Sequence, residues 1–153
     1  MDYRTSASFG KRQEYVAVAE LLRRGFDVYM TLVDDQQIDC VVRQRKGDRL
    51  KYLDIQIKAR SKEAKHASTF AALTVREPRP NYWFIFYSEV MNTYWIMPSR
   101  DLIAMANQNK GGKDGKGSNK GKYTIVLANK NKSGWKPRPK FKKYENAFGL
   151  LQW

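Results

Sequence analysis

Cysteine and histidine are almost absent: Cys40 and His66 stand alone in a chain of 153 residues. A single cysteine excludes an internal disulfide. One cysteine and one histidine exclude a zinc site built from those two residue types. A histidine-dependent nucleophile would rest wholly on His66, whose surroundings, KEAKHAST, are polar. His66 therefore reads as a surface or loop residue, and Cys40 as core. No run approaches 18 consecutive apolar residues, so no spanning helix is expected. The opening MDYRTSASFGKRQEY lacks the apolar stretch of a signal peptide. There is no glycine-rich phosphate loop of the Walker type, and no internal repeat. These absences predict an intracellular setting, cytoplasmic or nucleoid-associated, with no membrane partner.

Acidic side chains are also scarce, 15 against 29 basic ones, for a formal net charge of +14. Such an excess favours polyanionic partners, nucleic acid first among them. It is concentrated: the segment 110–143 holds twelve basic residues and one acid, Asp114. Its first part, Lys110–Lys122, is rich in Gly, Lys, Asn and Ser, too polar to bury a core, and reads as a flexible basic loop. Lys130–Lys143 interleaves cations with Trp135 and Phe141. Two readings stay open there: rings that stack on exposed bases beside phosphate-binding cations, or rings packed back on the body of a lysine-rich loop. Hydrophobic residues make up 42% of the chain and aromatic ones 13%, enough for a single domain over 1–153.

The pattern of apolar residues predicts the elements. A helix spans Gly10–Arg24, with Tyr15, Val18, Ala19 and Leu22 as its apolar stripe and Val16 and Leu21 widening it. Ser8 is its candidate N-cap and Gly25 its stop. Strands follow over 26–33, 38–46 and 49–59, with DDQQ turning the chain between the first two. Residues 60–75 read either as a short helix or as a loop leading into a strand at TFAALTV. Pro78 and Pro80 break the chain. YWFIFYSE, 82–89, is apolar enough for a strand covered on both faces. TYWIMP, 93–98, is the next strand, and Ser99 caps a helix over RDLIAMAN. Tyr123–Ala128 is a short strand, and 144–152 a closing helix. The fold class is α/β, a sandwich around a central mixed β-sheet flanked by helices.

Gly47-Asp48 is suited to closing a two-residue hairpin. The opposed pairs then run from Lys46–Arg49 back to Asp39–Gln56. One face carries Ile38, Cys40, Val42, Leu53, Ile55 and Ile57, an apolar set. The other carries Asp39, Val41, Asp54, Gln56 and Lys58. Alternation explains an apolar face and a polar one. It does not explain a carboxylate, a carboxamide and a lysine gathered at one end. Asp39 and Gln56 offer the hard oxygen ligands that Mg²⁺ takes, alongside phosphate and water. Lys58 can orient a water or stabilise charge on a phosphate, so the trio suits metal-assisted phosphodiester hydrolysis. The alternative is an Asp39–Lys58 ion pair on a solvated face. Asp54 shares that face, either as a rival second acid or as a partner for Arg43. Arg60, Lys62 and Lys65 follow directly and suit phosphate contacts.

In order, GKRQEYVAVAELLRRGFDV, QQIDCVV and YLDIQIKAR resemble the PD-(D/E)XK, or restriction-endonuclease-like, nuclease superfamily. The glutamate-bearing helix followed by Gly-Phe-x-Val is similar to archaeal Holliday junction resolvases. The Gln-x-Lys pair and the short chain resemble the homing endonucleases of group I introns. The resemblance covers roughly 8–105 and leaves 110–143 unexplained. It implies a restriction-endonuclease-like sandwich with an αβββαβ core and a Mg-dependent endodeoxyribonuclease activity, with Mn²⁺ as a substitute. By motif, Asp39 is the principal metal ligand, Gln56 takes the (D/E) position, Lys58 is the catalytic lysine and Glu14 completes the metal site. Two departures stand out: Ile38 replaces the proline, and Gln56 is not acidic. Glu14 otherwise reads as a helix-face carboxylate paired with Lys11 or Arg12. Lys113, Lys116, Lys120, Lys136, Arg138 and Lys140 would grip the DNA backbone. Cutting both strands with one site per chain implies a homo-oligomer, a dimer or higher. A catalytically inactive nucleic-acid-binding module on the same fold, or an RNA-binding component, is the alternative.

Overall fold

The computed structural model of the chain describes residues 2–33, 36–75 and 79–153. Asp34 and Asp35 of the predicted DDQQ turn, and Pro78, lie outside the described residues. The element order is α1 (Tyr3–Arg23), β1 (Asp27–Met30), β2 (Cys40–Lys46), β3 (Arg49–Arg60), β4 (Thr69–Leu73), β5 (Tyr82–Ser88), β6 (Thr93–Pro98) and α2 (Ser99–Met105). Then follow β7 (Asn107–Gln108), β8 (Tyr123–Val126), β9 (Ala128–Asn131), β10 (Gly134–Pro137) and two 3-10 helices, Pro139–Tyr144 and Phe148–Leu151.

The central sheet has the order β1-β2-β3-β5-β6. The β3–β5 pair is parallel and the other pairs are antiparallel, so the sheet is mixed as expected. The crossover that a parallel pair requires contains turns over 61–68 and the strand β4, where the αβββαβ order has a helix. Residues here are small and polar (SKEAKHAS), and the apolar TFAAL pairs outward with β8 instead of coiling. β4, β8 and β7 form a second, three-stranded sheet, and β9 and β10 a separate hairpin.

Helix α1 begins well before Gly10. Asp2 is its N-cap, its carboxylate accepting the Thr5 N–H at 2.8 Å, so Ser8 lies inside the helix. The buried row also differs from the predicted stripe. Phe9, Ala17, Val18 and Leu21 are buried, whereas Tyr15, Val16, Ala19 and Leu22 face outward. The buried row is thus rotated by about one residue from the predicted stripe: Ala17 and Leu21 lie on one i, i+4 row, which the longer helix extends back to Phe9. The helix stops as predicted at Gly25, whose φ of +88° closes it. Gly25 N–H reaches Leu22 O and Phe26 N–H reaches Leu21 O, the two bonds of a Schellman motif.

Two apolar layers sandwich the sheet. On one face Ala17, Val18 and Leu21 meet Cys40, Val42, Leu53, Ile55, Ile57, Ile85 and Ile96, with Phe148 and Leu151 closing the layer. On the other, Phe84, Phe86, Trp95 and Met97 meet Phe70, Leu73, Leu102, Ile125, Phe141 and Tyr144. β5 is therefore covered on both faces, which its sequence predicted. Phe84 and Phe86 stack at 5.5 Å, and Phe86 meets Phe70 at 4.8 Å. Phe141 is fully buried in this layer, so of the two readings of its ring the packed one holds; Trp135 is half-buried.

The second half departs further from expectation. Ser99 opens α2 without capping it: Pro98 holds the cap position, and the Ser99 hydroxyl donates to Arg79 O. The expected closing helix over 144–152 reduces to the 3-10 turn Phe148–Leu151. The basic stretch between β7 and β8 is a wide hairpin loop held by backbone bonds, among them Asn109 N–H to Lys122 O and Gly121 N–H to Asn109 O, both 2.8 Å. At Gly111, with φ +87°, a Cβ would lie 2.7 Å from the Gly115 carbonyl carbon, so the loop closes only with glycine there.

Candidate active site

The β2–β3 hairpin closes at Gly47-Asp48 in the expected register, from Lys46↔Arg49 to Cys40↔Ile55. The ladder ends there, one residue short of the expected Asp39–Gln56 pair. Asp39 is tied to β3 differently. Its N–H donates to Ile55 O at 2.8 Å, and its Oδ2 accepts the Ile57 N–H at 2.6 Å. Thr31 holds the same stretch from β1's end: its hydroxyl donates to Ile38 O at 2.6 Å and its N–H to Asp39 O at 3.3 Å. Backbone and carboxylate of Asp39 are thus both fixed, and the residue is only 8% exposed.

Ile55 and Ile57 point toward α1, so Gln56 and Lys58 point to the aromatic side of the sheet, beside Phe84 and Phe86 of β5. Gln56 is 4% exposed, and its Oε1 accepts the Tyr82 hydroxyl at 3.1 Å. The same hydroxyl lies 3.0 Å from Gln37 O. Gln37 has φ of 59°, a left-handed conformation uncommon for a residue with a side chain. Tyr82 therefore clamps the loop ahead of Asp39 to the strand carrying Gln56. Sequence reasoning missed Tyr82: the only signal was a hydroxyl at the start of a strand otherwise explained by burial. Lys58 is half-buried and, among the described residues, is in none of the ion pairs formed.

Asp54 pairs with Arg79, whose guanidinium also lies 4.8 Å from the Tyr82 ring. Arg43 is not its partner; Arg43 pairs with Asp27 at 2.7 Å. Glu14 sits on α1, its carboxylate taking the Lys11 ammonium at 3.0 Å. Glu14 and Asp39 converge electrostatically. The Cys40 thiol is pushed up to about 12, first by burial and then by the charges of Asp39 and Glu14. The Lys11 ammonium is raised first by its bond to Glu14, with Asp39 adding a smaller pull. Cys40 lies in the core and His66 on the surface, as expected.

The basic residues divide into two groups. Lys62, Lys65, Lys113, Lys116, Lys120, Lys136 and Lys140 are exposed. Arg60 and Arg138 are half-buried and each gives one hydrogen bond to the backbone: Arg60 Nε donates to Thr69 O at 2.8 Å, and Arg138 Nη1 to Val126 O at 3.0 Å. Burial lowers the Arg60 guanidinium from its ordinary value, without threatening its charge. A cleft of about 390 Å³ runs between α1 and the turn after β3, with Arg4, Ser8 and Arg12 on one wall and Ser61 and Lys62 on the other. Arg4 comes onto the same side of the helix as Arg12 because the helix begins at Tyr3, seven residues ahead of Gly10.

Among the described residues no three His, Cys, Asp or Glu side chains gather into a metal cluster. One buried carboxylate and one carboxamide oxygen form a hard donor set. That set fits Mg²⁺, which completes its shell from phosphate and water, and not the soft sites of zinc.

No family model matches this chain, and no curated protein matches it. The fold is nonetheless one that nucleases use. A bacterial homing endonuclease, I-Ssp6803I, is similar with a TM-score of 0.63 and 17% identity, over 99% of this chain and 93% of that one. A nuclease from a fusselovirus is more distantly similar, with a TM-score of 0.48 and 17% identity over 87% and 84% of the two chains. Among the described residues no helix is long and apolar enough to cross a membrane.

Proposed function

We infer that the chain is a metal-dependent DNA endonuclease that hydrolyses phosphodiester bonds, with a restriction-endonuclease-like site on the β2–β3 hairpin. The observation that carries this is the arrangement of Asp39, Gln56 and Lys58. A buried carboxylate is anchored by the Ile57 N–H, a carboxamide is anchored by Tyr82, and a lysine that forms no ion pair among the described residues stands two residues further along the same strand. Likeness in fold to a homing endonuclease supports the same reading.

Asp39 and Gln56 would hold Mg²⁺, with Mn²⁺ as substitute and Glu14 as the helix carboxylate near the site. The ion supplies a Lewis acid and lowers the pKa of bound water. The protein's own contributions are separate. Lys58 directs its ammonium at the scissile phosphate or its attacking water and stabilises developing negative charge. Tyr82 keeps the Gln56 carbonyl oriented. The exposed lysines of the β7–β8 loop extend from the second sheet, whose β4 and β8 pack on the aromatic face that Gln56 and Lys58 share. With Lys62, Lys65, Lys136 and Lys140 they would neutralise backbone phosphates, making affinity fall steeply with salt. Cleavage of both strands calls for a homo-oligomer that brings two such sites to one duplex.

Gln56 favours a second reading, a nucleic-acid-binding module that has lost its activity, because a neutral amide lowers the charge around a cation. Titration calorimetry with Mn²⁺, on the unaltered chain and on Asp39→Asn, separates the two. The endonuclease reading expects binding that disappears in the variant, together with nicking of supercoiled plasmid in Mg²⁺ and none in EDTA. Equal Mn²⁺ binding by both proteins, or none by either, sinks the metal site.

A further inference from the structure

The far end of the β2–β3 hairpin holds a second basic cleft, of about 400 Å³, lined by Arg24, Gln44, Lys46, Leu151 and Trp153 among others. The strand register builds it. Gln44 is paired with Lys51 and Lys46 with Arg49, so all four side chains stand on the α1 face. Trp153 closes over them, its ring 5.2 Å from the Arg49 guanidinium and 5.7 Å from the Lys51 ammonium, and it stays 42% exposed. Among the described residues Lys46, Arg49 and Lys51 are in no ion pair, and the nearby acid Asp27 is already bound to Arg43.

Two features of this patch want a partner. Like charges directly opposed on a strand pair repel, and Lys46 faces Arg49 with neither in an ion pair among the described residues. A buried carbonyl oxygen also lacks a donor. Gln44 gives its Nε2 hydrogen to Leu151 O, which fixes the amide's orientation and leaves its buried Oε1 without a hydrogen-bond partner among the described residues. A phosphate set between the cations answers the first need, and a base N–H is the kind of donor the second lacks. A tryptophan face flanked by cations is the platform on which an unpaired base stacks, which paired bases within a duplex cannot do.

We propose that this cleft is a binding site for single-stranded nucleic acid, with Trp153 stacking one base and Lys46, Arg49 and Lys51 taking the adjacent phosphates. It lies about 23 Å from Asp39, seven residues along an extended strand, so it is a second point of attachment and not part of the hydrolytic site. The inference shares with the proposed function the premise that the chain binds nucleic acid, but not that it cuts.

The test is fluorescence anisotropy in EDTA with a labelled twelve-residue oligothymidine and a labelled twelve-base-pair duplex. The expected result is that Trp153→Ala weakens oligothymidine binding at least about fivefold, the lower bound for giving up one stacked base, with duplex affinity unchanged. The double variant Lys46→Gln/Arg49→Gln lowers the salt slope for oligothymidine by about 0.7 for each phosphate that the chain no longer neutralises. The site is overturned if the unaltered chain does not bind oligothymidine, if both variants bind it as tightly as the unaltered chain, or if single-strand and duplex affinities fall in equal proportion. Failure of cleavage in every assay would remove the endonuclease reading and leave this result standing, because the readout is binding without metal.

Discussion

Ile57 donates its backbone N–H to the Asp39 carboxylate at 2.6 Å, across the point where the β2–β3 ladder has already ended. A side chain thereby replaces a carbonyl as the acceptor for a buried strand N–H. The bond fixes the carboxylate, and removing the side chain strands the donor. Asp39→Ala is expected to cost about 1–3 kcal/mol in urea unfolding, the penalty for an unpaired buried donor. Asp39→Asn keeps an acceptor for Ile57 and costs less, while abolishing metal binding. Equal destabilisation by the two variants would show that the carboxylate does not hold Ile57.

Tyr82 is a positioning residue, acting through Gln56 and Gln37. Tyr82→Phe preserves the buried ring and removes the hydroxyl. Cleavage rate under saturating DNA is expected to drop about 2- to 12-fold, the rate equivalent of one missing hydrogen bond. DNA affinity should hold. A fall in affinity with an unchanged rate would assign the hydroxyl to binding instead.

The orientation of α1 decides whether Glu14 approaches the site, and two adjacent leucines read it. Leu21 is 0% exposed and Leu22 is 54% exposed. Leu21→Ala should cost about 2–5 kcal/mol, and Leu22→Ala no more than about 0.5 kcal/mol. The reverse order would restore the stripe drawn from sequence and turn Glu14 away.

Cys40 gives the fold an alkaline limit. Its thiol has an ordinary value of 9.0 and is pushed up to about 12 in the folded chain. Between those values the unfolded chain loses a proton that the folded chain keeps. The contribution is thus fully present below about pH 9 and is lost as pH rises toward 12. Cys40→Val lacks this linkage. Its stability relative to the unaltered chain should improve steadily from pH 9 upward in matched urea titrations, and a constant difference would contradict the assigned burial.

The hairpin was legible because its information is local. Gly47-Asp48 sets the turn, and strict alternation sets the faces, so the register followed without tertiary knowledge. The apolar run of β5 announced a doubly covered strand for the same reason. What sequence could not reveal depended on distant partners. The stripe of α1 was misplaced because Tyr15 and Leu22 are as apolar as the residues that are buried, and its start was missed because the cap, Asp2, stands ahead of a polar RTSAS stretch. Arg60 read as a phosphate ligand, and nothing local announced its bond to Thr69 O or its place over the Phe70 ring, nine and ten residues on. Asp54 chose Arg79 across the parallel crossover, a pairing no local pattern encodes. The Gly- and Lys-rich segment carried too little apolar periodicity to show that its flanks pair as β7 and β8.

The central claim is that Lys58 acts on a phosphate held at Asp39 and Gln56. The most direct measurement compares the unaltered chain with Lys58→Ala on supercoiled plasmid, linear duplex and a four-way junction in Mg²⁺. Duplex affinity in Ca²⁺ is measured in parallel. The account predicts that Lys58→Ala binds DNA within about twofold of the unaltered chain, since many other cations still hold the backbone, and that its cutting falls by at least two orders of magnitude. Cutting at the same rate by both proteins would contradict it.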